Sequence, residues 1–351
     1  MPQIDPDSFS CPLPKTDYDT IQIAHGSGGK LSEELLRKVF LPCFGNPSLN
    51  RLEDQAILPQ PQGRIAFSTD TFVVQPIFFP GGSIGELAVN GTVNDLAVGG
   101  AQPLYLSAGF ILEEGLPIGE LHEILVAMKR AALKAGVDIV TGDTKVVPRG
   151  ACDKIFINTS GIGVVPEAHD FGAHRLKPGM KIILSGSIAD HGMAVMTKRE
   201  GLSFESEILS DTAALNGLIA RLLRSCDGIA AMRDPTRGGV ATTLNEWASA
   251  AHVGIRMEED ALLIRPEVRS ACEVLGIDPL FVANEGKILV AVTAEAASAA
   301  LTAVQAHPLG KDARIIGEIV SDHPGKVTVK NAYGVERIVS MPVGEQLPRI
   351  C

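Results

Sequence analysis

The stretch Leu121–Lys145, LHEILVAMKRAALKAGVDIVTGDTK, decides how the fold is read. Leu121, Ile124, Leu125, Met128 and Ala132 recur at helical spacing and form one apolar stripe. Gly136 stands where a glycine just past a helix stops it. Val137–Val140 then reads as a strand that delivers Thr141-Gly142-Asp143-Thr144-Lys145. A helix handing over to a strand with polar residues at its end is the repeating unit of an α/β protein.

Outward from that unit the same alternation continues. Toward the N-terminus, Ile21–Ile23 predicts a short strand, and a helix follows on which Leu31, Leu35 and Val39 share a face. Arg64–Asp70 predicts a strand with Ile65 and Phe67 inward, and the turn Gly81-Gly82 precedes a helix running toward Asn94-Asp95. Leu104–Leu112 and Lys154–Val164 read as two more strands. The proline- and glycine-broken segment Pro166–Pro178 divides the chain. Beyond it lie a strand at Lys181–Leu184 and a helix at Asp211–Arg224, then a turn at Arg233–Gly239 leading into a helix through Trp247. Strands at Lys287–Val292 and Arg314–Val320 flank an alanine-rich helix. The expected fold is α/β with α+β character and mixed sheets. The segments are a loose leader 1–19, domains 20–166 and 175–340, and a tail 341–351.

Composition narrows the function. A 45% hydrophobic and 21% charged chain of 351 residues buries ample core for two domains. A net charge of −10 argues against nucleic-acid and anionic-membrane surfaces, and 5% aromatics argue against a base-stacking platform. The first residues are acidic where an export signal would be basic, and no apolar run is long enough to span a membrane, so a cytoplasmic protein is expected. Among the six cysteines no pair has zinc-finger or Cys-x-x-Cys spacing.

Four aspartates stand beside turns or at strand ends: Asp54, Asp70, Asp95 and Asp143. Converging carboxylates repel unless a cation intervenes, and Mg²⁺ takes such oxygens together with phosphates. Each one alone also reads as a turn or cap residue. Gly26-Ser27-Gly28-Gly29 before a helix reads as a phosphate cradle or a tight turn. Lys145 reads as a phosphate contact or a solvated loop lysine, and Glu285 before a strand as a general base or a surface turn. Cys351 is different in kind. Beside its own carboxylate its thiol is disfavoured as a thiolate, so it suits a carrier better than a self-activated nucleophile. A tail from Met341, stiffened by Pro342 and Pro348, reaches roughly 36–40 Å when extended.

Together His25-Gly-Ser-Gly-Gly, Glu53-Asp-Gln-Ala, Phe67-Ser-Thr-Asp, Phe78-Phe-Pro-Gly-Gly, Thr141-Gly-Asp-Thr-Lys-Val-Val, Asp234-Pro-Thr-Arg-Gly-Gly, Asn284-Glu-Gly-Lys and Pro348-Arg-Ile-Cys carry a resemblance. The chain resembles the HypE family of hydrogenase maturation factors, in the superfamily of aminoimidazole ribonucleotide synthetase and selenophosphate synthetase. The resemblance implies a two-domain PurM-like fold with a flexible C-terminal tail and a homodimer formed through the N-terminal domains. It implies ATP bound by Gly26, Ser27, Gly28, Gly29, Asp70, Thr71, Asp95, Gly142, Asp143 and Thr144, with Mg²⁺ on Asp54, Asp70, Asp95 and Asp143. A HypF-like carbamoyltransferase would load a carboxamide on Cys351. The chain would dehydrate it to a thiocyanate and pass cyanide to a HypC–HypD complex, for the Fe(CN)₂CO centre of NiFe hydrogenase. Lys145, Glu285 and His25 are the candidate catalytic side chains, and the first two could exchange roles. A same-fold enzyme with a diffusible substrate and a nucleotide-gated scaffold are the rivals.

Overall fold

The computed structural model describes residues 5–204, 206–341, 347 and 349–351, so Pro342 and Pro348 lie outside the described residues. In the first half, strands β1 (Arg64–Phe72), β2 (Gln102–Glu113), β3 (Asp138–Val147) and β4 (Ile155–Val165) form one sheet in the order β1-β4-β2-β3. Strands β2 and β3 run parallel, joined by helix α2 (Ile118–Ala135), and the other pairs are antiparallel. Helix α2 ends as its sequence predicts, with Gly136 in the left-handed region at φ 70°. Helix α1 (Ile84–Val98) packs against α2, and both cover one face of the sheet. Their approach needs Gly85, because a Cβ there would stand 2.5 Å from the Ile124 carbonyl.

The inward face of β1 differs from the prediction. Ile65 and Phe67 are 62% and 68% exposed, whereas Phe72 is buried against the helices. A strand has period two, so Phe72 on the helix side puts Ala66, Ser68 and Asp70 there as well and turns Ile65 and Phe67 to the uncovered face. Ile21–Ile23 is likewise no strand. Thr20 makes a single bridge to Pro117, and Ile23–Gly26 is a 3-10 turn. The next helical run is continuous but uneven, with Lys30–Leu35 and Leu41–Phe44 joined by a π-helical turn at Leu36–Phe40.

The leader, expected to be loose, is held from Asp5 onward. Asp5 caps a 3-10 turn, Asp7 pairs with Lys134 at 2.7 Å, and Arg130 donates twice to the Phe9 carbonyl.

The second half builds a seven-stranded sheet from β5 (Lys181–Leu184), β6 (Ile229–Arg233), β7 (Gly254–Glu258), β8 (Leu289–Val292), β9 (Arg314–Val320), β10 (Val327–Lys330) and β11 (Glu336–Val339). Their order is β11-β10-β7-β9-β5-β8-β6. Alternate residues enter separate cores: Ile182, Leu184 and Leu289 on one side, Ile183, Val290 and Met232 on the other. This sheet is covered on both faces, unlike the first.

Helices Asp190–Glu200 and Pro266–Leu275, both missed in the sequence reading, bury Met193, Val195, Val268 and Cys272 in the first core instead. The described end of the tail is packed as well. Leu347 and Ile350 are buried in the first core.

Candidate active site

Two groups of functional side chains emerge, at opposite ends of one row across the first sheet. The first surrounds the glycine cradle. Gly26 packs so closely on β3 that a Cβ would meet the Val146 nitrogen at 2.6 Å. Gly28 takes φ 78° and its N–H is already given to Ser32 Oγ at 2.9 Å. His25 Nδ1 accepts from the Gln22 N–H at 2.8 Å, and burial holds the imidazole below its ordinary pKa. It is thus a neutral brace for the turn. Beside the cradle a cavity of about 250 Å³ is walled by Phe40, Phe44 and Phe110 and edged by Thr141–Lys145. An apolar slot with polar groups on one edge suits a base and its sugar. At that edge Lys145 pairs with Asp143 at 2.8 Å, and this hydrogen bond holds the Asp143 carboxyl below its usual range.

The second group lies where the two halves meet. Asp70 lies two residues before the end of β1 and Asp95 sits on α1, and Ser68 Oγ donates to Asp95 at 2.7 Å. Burial raises both carboxyls, and Asp95 raises Asp70 further. From the other half come Asp234 and Glu285. Burial, then Asp95 among the nearby charges, pushes Asp234 to about 7. Burial, then Asp234, Asp211 and Asp70, lifts Glu285 well above the carboxylate range, and its Oε1 is buried with no partner. Burial would raise Asp211 too, but Lys287 at 2.9 Å and His191 hold it ionised. Arg237 reaches within 3.8 Å of Asp70. Asn94 stitches the halves together, accepting from the Leu215 N–H and donating to the Ala213 carbonyl.

The tail ends at this second group. The Val73 N–H donates to the Cys351 carboxylate and the Gln75 N–H to the Arg349 carbonyl. His191 is bonded to the Ile350 carbonyl at 2.6 Å, and Arg199 donates to those of Gln75 and Arg349. The Arg349 guanidinium pairs with Asp153. Val73 is three residues beyond Asp70, so their Cα atoms are at most roughly 11 Å apart.

The residues singled out from sequence therefore divide. Asp70, Asp95 and Glu285 come together, with Cys351 nearby. His25, Gly26, Gly28, Gly142, Asp143, Thr144 and Lys145 line the cavity, and Ser27 and Gly29 complete the turn without lining it. Strand pairing sets Thr71 opposite Asn158, Asn158 opposite Gly109, and Gly109 opposite Asp143. Three strand spacings make roughly 14 Å, too far for one ion to join Asp70 and Asp143 within a chain. Asp54 is exposed on the loop before β1. Sequence reasoning missed Asp211, Lys287 and His191. Asp211 and His191 stand in no recognisable motif, and Lys287 gave only the end of Asn284-Glu-Gly-Lys.

Residues 52–165 match the family model "AIR synthase related protein, N-terminal domain", and residues 177–330 match its C-terminal counterpart. The chain is 51% identical over 332 residues to the carbamoyl dehydratase HypE of Rhizobium leguminosarum bv. viciae, covering 94% of this chain and 95% of that one. A crystal structure of the hydrogenase maturation protein HypE in complex with ATP superposes with a TM-score of 0.91 at 47% identity, covering 95% of this chain and all of the other. A structure of a HypE–HypF complex matches with a TM-score of 0.77 at 49% identity, over 90% of this chain and 100% of that one.

Proposed function

This chain belongs to the HypE family of carbamoyl dehydratases, and on that premise we propose that it dehydrates a carboxamide carried on its own Cys351. The supporting observation is where the tail ends. The Ile350 carbonyl is bonded to His191, His191 and Lys287 hold Asp211 ionised, and Asp211 accepts the Glu285 N–H. The carrier terminus thus lies beside the buried acids.

In the reaction, the amide oxygen of Cys351–S–C(O)NH₂ takes the γ-phosphoryl group of ATP, releasing ADP. The phosphorylated oxygen then leaves as phosphate while both N–H protons are lost and the C≡N bond forms. Asp70 and Asp95 fit a hard divalent cation: they are partly desolvated acids, Asp95 raising Asp70, next to a Glu285 oxygen without a partner. Mg²⁺ bound there neutralises charge on the phosphates. Glu285 is the base for the amide protons, since it alone of the three candidates stands in this cluster. Lys145 and Asp143 hold the nucleotide, and His25 shapes the cradle.

The uncovered face of the first sheet, with Ile65, Phe67 and Ile111 exposed, seats a second copy of the chain. Two such sheets stacked about 10 Å apart on an axis parallel to the strands set β1 of one over β3 of the other. That arrangement brings the two ends of the site together across a homodimer. A HypF-like carbamoyltransferase loads the tail, and a HypC–HypD complex accepts the cyanide, in the cytoplasm. No helix among the described residues is long and apolar enough to cross a membrane.

Full-length chain carbamoylated at Cys351 provides the test. Mass spectrometry is expected to show loss of one water at that residue only with Mg-ATP. Persistence of the carboxamide while ATP is hydrolysed would overturn the assignment.

A further inference from the structure

Three side chains the reaction does not use meet on the helix-covered side of the N-terminal domain. Cys11 comes from the leader, Cys43 from the end of the helical run at Leu41–Phe44, and His122 from the first turns of α2. One ligand atom of each lies within 4.8 Å of those of the other two. We propose that Cys11, Cys43 and His122 form a zinc site that fastens the leader to the N-terminal domain.

Two observations support this beyond the clustering. His122 is only 8% exposed, yet its Nε2 is buried without a hydrogen-bond partner. A buried ring nitrogen in that state is costly unless something occupies it. The Pro12 carbonyl stands close enough to the imidazole to accept from it, the kind of outer contact that fixes the tautomer of a ligating histidine. Two thiolates and an imidazole are a set for zinc, and a poor one for Mg²⁺. Tetrahedral coordination at zinc's usual bond lengths needs ligand atoms about 3.5–3.8 Å apart, so the three must close by at most about 1 Å. Cys11 lies in an irregular stretch of the leader between anchors at Phe9 and Asp19, so shifting it breaks no helix or strand.

A cavity of about 390 Å³ bordered by Cys11, His122, Glu86 and Glu123 leaves room for water as the fourth ligand. Binding releases the two thiol protons per ion and changes no oxidation state.

The test uses the full-length chain, reduced with a phosphine, freed of metal by a chelator and given Zn²⁺. Native mass spectrometry and elemental analysis are expected to find one zinc per chain after desalting, with two protons released. Cys351→Ala is expected to keep the ion. Loss of a ligand should weaken binding at least about 100-fold in Cys11→Ser and in His122→Gln, the upper end of what outer-shell changes cost. Co²⁺ as an optical probe should show thiolate charge-transfer bands that Cys11→Ser removes. The proposal fails if the reduced chain keeps no zinc, or if Cys11→Ser binds it as tightly as the parent. It also fails if the pair isolates as a Cys11–Cys43 disulfide whose reduction creates no zinc affinity.

Discussion

Asp143–Lys145 and Asp211–Lys287 are the same ion pair at nearly the same length, 2.8 and 2.9 Å, in opposite surroundings. The first stands largely in solvent at the edge of the cavity. The side chains of the second are 5% and 10% exposed between the domains. In water's dielectric the first pair contributes about 0–1 kcal/mol, so Lys145 can leave Asp143 for a phosphate at little cost. In the interior neither partner of the second can be abandoned, because the remaining charge would be buried alone. One pair is therefore available to a ligand, and the other is scaffold that keeps Asp211 ionised beneath Glu285.

The most severe way to break this contrast is Lys287→Met. It should destabilise the chain by about 3–5 kcal/mol in denaturant unfolding, the cost of stranding one buried charge. A loss below about 1 kcal/mol would show that water reaches the pair. Next comes Glu285→Gln, expected to slow dehydration of the loaded tail about 100-fold or more, with ATP affinity changed little. Equal losses in both would make Glu285 a binding group instead.

The raised acids give a pH dependence for the ligand-free protein. Asp234 titrates near 7 when folded against an ordinary 3.8, so the folded state binds the proton more tightly. Its contribution is complete below about pH 4 and is lost as pH rises through about 7, at up to about 1.4 kcal/mol per pH unit. Thermal unfolding across that window should be flatter in Asp234→Asn. An unchanged slope would assign the titration elsewhere. The mildest change is Lys145→Met, expected to leave stability within about 1 kcal/mol while weakening ATP binding roughly tenfold. Calorimetric titration measures this, and unchanged affinity would detach Lys145 from the nucleotide.

These contrasts also explain what the sequence disclosed. The helix from Leu121 to Gly136 and the strand after it were legible because periodicity and a stop residue are local signals. The glycine turn at Gly26–Gly29 ahead of a helix was legible for the same reason. The parity of β1 was not, because Ile65 and Phe67 look like core residues and only Phe72 against the helices decides the face. Asp211 and Lys287 are 76 residues apart. Nothing in either neighbourhood announces a pair that exists only after the second half folds. Asp54 and Asp143 resemble Asp70 and Asp95 in sequence context, and topology alone separates them.

The Cys351 carboxylate and the Arg349 carbonyl are bound to Val73 and Gln75, just past strand β1. A loading enzyme that needs the terminal thiol in its own cleft must first win that stretch of backbone, since one carbonyl cannot serve two docks at once. Its apparent affinity is then its intrinsic affinity scaled by the fraction of time the end is undocked. Substitutions that loosen the seat, such as Arg199→Ala, would make the terminus easier to load and harder to present to ATP. Traffic along the tail is set by competition for a few main-chain oxygens, so the fastest variant overall has a seat of intermediate strength.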